Sequence, residues 1–204
     1  MANSTVPSYE INYKTEDFEL TDTLIVLAQV EYEGEMYKVT DVDLTVEQGL
    51  SPGGSNEHEY RSLPNIEKII YPNTVERIYF ENGDESNYNF GGSCKKQVIL
   101  SNNLKSIPDY FFATEYITSL EIPDSVTSIG DYAFRYCSSL QNITIQGEVE
   151  SIRDNAFTEC TILNKITINR EKGSFDFSRW NLPEGTTIVW NNGQDVVKNQ
   201  NNLT

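Results

Sequence analysis

The segment from Ile122 to Ile145 is followed almost at once by a near copy of itself, and that repetition limits the chain to one kind of architecture. Ile129, Ala133, Phe134, Cys137, Leu140, Ile143 and Ile145 recur as Ile152, Ala156, Phe157, Cys160, Leu163, Ile166 and Ile168, each pair 23 residues apart. Upstream, Ile107, Phe112, Ile117, Leu120 and Ile122 occupy the same frame with one residue fewer in the middle. Leu100, Leu104 and Ile107 match Ile122, Val126 and Ile129 at a step of 22, and Phe90 matches Phe112. Tyr71-Pro72-Asn73-Thr74-Val75 mirrors Ile122-Pro123-Asp124-Ser125-Val126, and Val39-Thr40-Asp41-Val42 resembles Val126-Thr127-Ser128-Ile129. A unit this short cannot enclose its own interior. It buries its apolar side against the units before and after it, so the chain is expected to coil as a solenoid.

Within each unit the L-x-x-I-x-I element (Leu140, Ile143, Ile145; Leu163, Ile166, Ile168) ends in strand-like alternation, and stacked copies are expected to pair in parallel. The following V-x-x-I supplies a second inward pair. Asp131-Tyr132-Ala133-Phe134 and Asp154-Asn155-Ala156-Phe157 read as single helical or 3-10 turns, with Asp as the N-cap and Phe pointing into the core. The expected fold class is an α/β, mostly β, solenoid with a parallel sheet on the concave face, short helical or 3-10 turns opposite, and capping strands at both ends.

These units resemble the BspA-type leucine-rich repeats, a bacterial and protozoan branch of the leucine-rich repeat family. The residues that carry the likeness are Ile122-Pro123-Asp124-Ser125-Val126-Thr127-Ser128-Ile129-Gly130-Asp131-Tyr132-Ala133-Phe134, followed by Cys137, Leu140 and the Ile143-Thr144-Ile145 strand. The likeness is strong over residues 98–168 and recognisable from about residue 63. It departs from the pattern where Gln146-Gly147-Glu148 replaces the Pro-Asp-Ser approach and where Arg153 replaces the usual Gly. The resemblance implies a non-enzymatic protein- or glycan-binding module, extracellular or displayed at the cell surface, in a family without a shared active site. The competing expectation is an intracellular or structural scaffold that associates with itself and has no host ligand.

Open stacks need caps. Residues 1–38 are expected to form an N-terminal β cap, with strands at Tyr9–Tyr13 and Leu24–Tyr32 and a hairpin at Glu33-Gly34-Glu35. Residues 39–168 form the solenoid, interrupted by insertions near 48–60 and 79–87. Residues 169–190, with Phe175, Phe177, Trp180 and Thr186–Trp190, close the far end, and the Asn- and Gln-rich stretch 191–204 is expected to be disordered.

Composition narrows the function. A net charge of -16, with no Lys/Arg cluster longer than Lys95-Lys96, argues against nucleic acid and anionic membrane surfaces. The longest strongly apolar run, Leu24 to Ala28, is far short of the roughly 20 residues a membrane-spanning helix needs. The first ten residues, MANSTVPSYE, contain neither a basic nor an apolar leader region, so no secretory signal is expected within them. The one histidine, His58, rules out multi-histidine metal sites and reads as a loop residue. No P-loop, dinucleotide fingerprint or G-x-S-x-G elbow occurs, and the Asn82–Asn87 loop lacks calcium-loop spacing. No catalytic residue, metal or cofactor is therefore expected. Cys94, Cys137 and Cys160 are too few for a disulfide framework, and Cys137 and Cys160 read as buried thiols on adjacent units.

Two surfaces remain as candidates. The strand residues that alternate with the buried ones face outward: Lys68 and Ile70; Gln97, Ile99 and Ser101; Ser119 and Glu121; Asn142, Thr144 and Gln146; Lys165, Thr167 and Asn169. Glu121, Thr144 and Thr167 are taken as its contact residues. A second ladder, Tyr88, Tyr110 and Tyr132, runs at steps of 22 beside Asn87, Asp109 and Asp131, and would suit a basic or glycan partner. The plainer reading is that these tyrosines shield the Phe layer while the Asp side chains cap each turn. The partner is expected to be a protein or glycan, and the chain a monomer.

Overall fold

The computed structural model of the chain describes residues 23–43, 67–79, 97–113, 116–147 and 149–197. Its strands are β1 (Thr23–Ile25), β2 (Gln29–Tyr32), β3 (Glu35–Lys38), β4 (Asp41–Asp43), β5 (Lys68–Ile70), β6 (Arg77–Tyr79), β7 (Gln97–Ile99) and β8 (Ser106–Ile107). They continue as β9 (Ser119–Ile122), β10 (Ser128–Ile129), β11 (Asn142–Ile145), β12 (Ser151–Ile152), β13 (Lys165–Ile168), β14 (Thr187–Trp190) and β15 (Gly193–Val196). The predicted solenoid is present. One wall is a parallel ladder in two sheets, β1-β5-β7 and then β9-β11-β13-β14, with β7 packed against β9. Register follows the repeat: Leu120 opposes Ile143, and Ile143 opposes Ile166. The second wall is the V-x-x-I element, with β8, β10 and β12 in parallel and β4 beside β6.

The third wall is not what the sequence suggested. No helix occurs among the described residues. Tyr110, Tyr132 and Asn155 have left-handed backbones (φ 58°, 52° and 59°), as do Tyr136 and Glu159 (φ 59° and 61°). A residue in that region interrupts a right-handed helical turn and costs about 1–2 kcal/mol for a non-glycine side chain. The stack supplies the compensation. Phe112 N–H donates to Ala133 O (2.7 Å), Phe134 N–H to Ala156 O (2.8 Å) and Tyr136 N–H to Thr158 O (2.9 Å), so donors that a helix would use internally reach the next coil instead. The Asp residues are not N-caps of their own turns either. Asp109 Oδ1 accepts the amide of Asp131, one coil on, at 2.8 Å.

Inside the third wall, Phe112, Phe134 and Phe157 lie one above the next, with ring centroids 5.2 Å apart at both steps and planes within 7° and 4° of parallel. The stack ends where a ring tilts: Trp180 meets Phe157 at 56°, backed by Phe175 and Phe177. A tilted ring offers no parallel face for a further repeat, which is how the C-terminal end is closed. Phe111, on the same coil as Phe112, meets it edge-on at 68°. The two cysteines follow the same logic. Both are buried thiols, and Cys137 Sγ donates to Phe112 O and Cys160 Sγ to Phe134 O, each at 2.9 Å. Coils approach closely beside this wall: a Cβ on Gly130 would sit 2.5 Å from the backbone nitrogen of Asp109.

The ends correct two further expectations. β1 is no separate cap strand, because Leu24 pairs in parallel with Ile69 as one more rung. The hairpin at Glu33-Gly34 (φ 50° and 83°) joins β2 to β3, as the sequence suggested. At the other end the stretch 191–204 contains β15, antiparallel to β14. Its polar composition hid this, because β15 is fixed by backbone pairing and by Asp195, which accepts from Trp190 Nε1 (2.7 Å) and pairs with Lys172 (2.7 Å). Tyr88, Phe90, Cys94, His58 and both expected insertions lie outside the described residues, apart from Tyr79 at the edge of the second.

Phe134 has an aromatic ring on either face and is fully buried. Phe134→Ala is expected to lower unfolding stability by about 3–5 kcal/mol in a denaturant titration. The Cys137 and Cys160 thiols should react with a thiol reagent only on the timescale of unfolding.

Candidate functional site

The candidate residues fall on two different walls. On the strand ladder, backbone register sets Ile25 beside Ile70 and Ile70 beside Ile99. Alternation turns all three away from the core, since Ile69 between Lys68 and Ile70 is buried. Ile25 is 60% exposed and Ile99 40%, with Ile70 half-buried between them. After the step from β7 to β9 the same row continues as Glu121, Thr144, Thr167 and Val189, each in register with the next. The row therefore changes from apolar to polar along the solenoid. The neighbouring outward row, Thr23, Lys68, Gln97, Ser119, Asn142, Lys165 and Thr187, carries two lysines and no acid. With Glu121 as the one carboxylate, the face is not acidic although the chain is.

A polar ladder borders this face. Gln146 Nε2 donates to Glu121 Oε1 at 2.6 Å, and Asn169 Nδ2 donates to Gln146 Oε1. Ser101, expected to face outward, is instead fully buried. It lies just past its strand, where its hydroxyl turns inward to Val75 O (2.5 Å), as Ser125 does to Leu104 O and Thr186 to Leu163 O.

On the third wall, Tyr110 and Tyr132 stack at 5.0 Å and 17°. Tyr110 is only 9% exposed and Tyr132 is half-buried, so the pair is largely packed away from solvent. Asp109, Asp131 and Asp154 form a carboxylate ladder at steps of 22 and 23. Asp154 pairs with Arg179. Asp131 Oδ1 is buried with no hydrogen-bond partner, and burial, followed by the neighbouring Asp109 and Asp154 charges, pushes its carboxyl above the ordinary value of 3.8 against the pull of Arg153 and Arg179. Two residues that sequence reasoning passed over complete this wall: the Arg135 guanidinium carbon lies 5.1 Å from the Tyr132 ring centre and 4.9 Å from that of Tyr136. Neither recurs in the repeat, so periodicity carried no signal for them. Ile25 was missed because its row appears only once β1 is paired with β5. Among the described residues no group of three His, Cys, Asp or Glu is placed to hold a metal ion.

The family model for the BspA type leucine rich repeat region matches residues 56–181 in six copies, more than half of the chain. The chain is also similar in fold to a leucine rich cell surface protein from Faecalibacterium prausnitzii A2-165 (TM-score 0.54, 21% identity). The match covers 76% of this chain and 34% of that one, so the chain spans about a third of that protein. A second similar structure is the T. pallidum Leucine Rich Repeat protein (TM-score 0.52, 19% identity), with 83% of this chain and 72% of that one covered. No curated protein matches the chain.

Because folding raises the Asp131 carboxyl above 3.8, its charged form is penalised in the native state, and stability falls as pH rises through the folded value. Asp131→Asn keeps the amide that Asp109 binds and removes the charge. Its melting temperature is expected to exceed the parent's at pH 7, with the difference disappearing below pH 3.8, where both folded and unfolded carboxyls are protonated. An unchanged gap across that range would show that the stabilisation is not electrostatic.

Proposed function

Because the chain belongs to the BspA-type leucine-rich repeat family, we propose that it is a non-enzymatic recognition module that docks a protein partner on the outer face of its strand ladder. The observation that carries this reading is the in-register row Ile25, Ile70 and Ile99, two of them substantially exposed on a parallel sheet. Single exposed isoleucines are ordinary, but three adjacent ones on a non-acidic face of an acidic protein form a contiguous apolar strip. Burying one isoleucine fully is worth about 1.5–3 kcal/mol. A partner that covers the strip and bonds to the adjoining Thr144, Thr167 and Asn142 side chains would combine an apolar centre with a polar rim. Display at the cell surface or secretion belongs to this proposal, supported by the family and by the name of the Faecalibacterium protein. The intracellular scaffold alternative would use the same strip for a second copy of the chain.

The test is a panel of immobilised extracellular matrix proteins probed with the parent chain and with Ile25→Glu and Ile99→Glu. Both positions are exposed, so melting should move little, while binding to any captured matrix protein is expected to fall about ten-fold or more for the loss of one buried anchor. Binding that survives both substitutions unchanged would remove the sheet face from consideration. Concentration-dependent dimerisation abolished by the same substitutions would favour the scaffold.

A further inference from the structure

We propose a second site, on the third wall and independent of the sheet face, that binds a carboxylated sugar through Arg135 and Tyr136. The starting point is a guanidinium with no polar partner. Among the described residues, Arg77 pairs with Asp41, Arg179 pairs with Asp154, Arg170 donates to Val149 O, and Arg153 is exposed and near enough to Asp131 to pull its carboxyl down. Arg135 is half-buried, its Nε is buried with no hydrogen-bond partner, and its contacts are the Tyr132 and Tyr136 rings. Leaving a desolvated donor unpaired is unfavourable, and contact with two rings returns part of that cost. The rings also restrain the guanidinium. Among the described residues no hydrogen bond is made by its Nη donors, and a planar pair of oxygens is the group that their fork geometry fits.

The surroundings say what else that ligand must carry. Tyr136 is 48% exposed and is fixed in a left-handed backbone, with its N–H held by Thr158 O on the next coil at 2.9 Å. A pinned, exposed ring is a flat apolar platform that loses little entropy on binding. Glu159 takes the place of Tyr136 at a step of 23, one coil away, or about 4.8 Å, and is exposed. It is an acceptor suited to hydroxyl groups. One carboxylate, one apolar face and several hydroxyls describe a sialic or uronic acid residue. An acidic peptide fits less well, because Asp109, Asp131, Asp154 and Glu159 line this wall and the chain carries -16, so each further negative charge on a ligand adds repulsion.

The full chain should be titrated with N-acetylneuraminic acid, glucuronic acid, galactose and a short oligoglutamate, with binding read by saturation-transfer NMR and calorimetry. Saturable binding of one or both acidic sugars, with galactose and oligoglutamate inert, is expected, and which acid binds names the source of the carboxylate. Arg135→Gln should weaken that binding about ten-fold or more, and Arg135→Lys, which keeps the charge without the fork, should not restore it. Tyr136→Ser should also weaken it, while Ile25→Glu should leave it unchanged, which separates this site from the sheet face. No binding to either acid, equal binding of galactose, a preference for oligoglutamate, or affinity unaltered in folded Arg135→Gln would each overturn the proposal.

Discussion

The whole molecule depends on hydrogen bonds that leave one coil and arrive on the next. A step of 22 or 23 residues returns the chain to the same point one strand spacing away, about 4.8 Å along the stack. Every wall uses that return: the strand ladder, the short β8-β10-β12 sheet, and the third wall, where Phe112, Phe134 and Tyr136 donate to the following coil. Side chains obey it as well. Asp109 binds the Asp131 amide, Asp124 the Gly147 amide, and Cys160 the Phe134 carbonyl. No coil is complete without its neighbour, because each leaves donors and one side of its core for the next to satisfy.

That dependence explains why the third wall is built from left-handed turns and not from helices. A helical turn would close its bonds on itself and leave this wall to be joined to its neighbours by side chains alone. The left-handed residues at Tyr110, Tyr132 and Asn155 rotate the chain so that alternate amides point along the solenoid and the phenylalanines stack face to face. The local cost is offset collectively. The same strain leaves Tyr136 fixed and exposed beside Arg135, so a conformation adopted for stacking also presents an aromatic ring to solvent.

The two surfaces arise differently. The strand face is a product of alternation, and its character changes where the outward residue changes from isoleucine to glutamate and threonine while the buried residues stay aliphatic. Selection on the interior and on the exterior are separable in such a sheet, because odd and even positions answer to different environments. The third wall has no such freedom. Its tyrosines serve the core at Tyr110 and the surface at Tyr136, and burial, reinforced by the like charge of the Asp ladder, raises the Asp131 carboxyl.

Repetition in the amino-acid order was enough to determine the solenoid, its step, the identity of the stacked phenylalanines and the burial of Cys137 and Cys160, because all of these follow from equivalent residues meeting one coil apart. Even the faint match at Val39–Val42 corresponds to a real rung, with Val42 beside Ile78. What only the tertiary structure decided are the features with no counterpart in the repeat. Ile25 joins Ile70 and Ile99 through a pairing of β1 with β5, across 42 intervening residues that periodicity does not bridge. Ser101 turns inward because a carbonyl on the preceding coil needs a donor. β15 forms from a polar stretch because β14 offers it an open edge, and Arg135 stands between two rings because left-handed turns aim them there. Periodicity reports which side chains must share an interior. Where the backbone bends, and which lone residues it brings together, is settled by hydrogen bonds between coils that no single unit encodes.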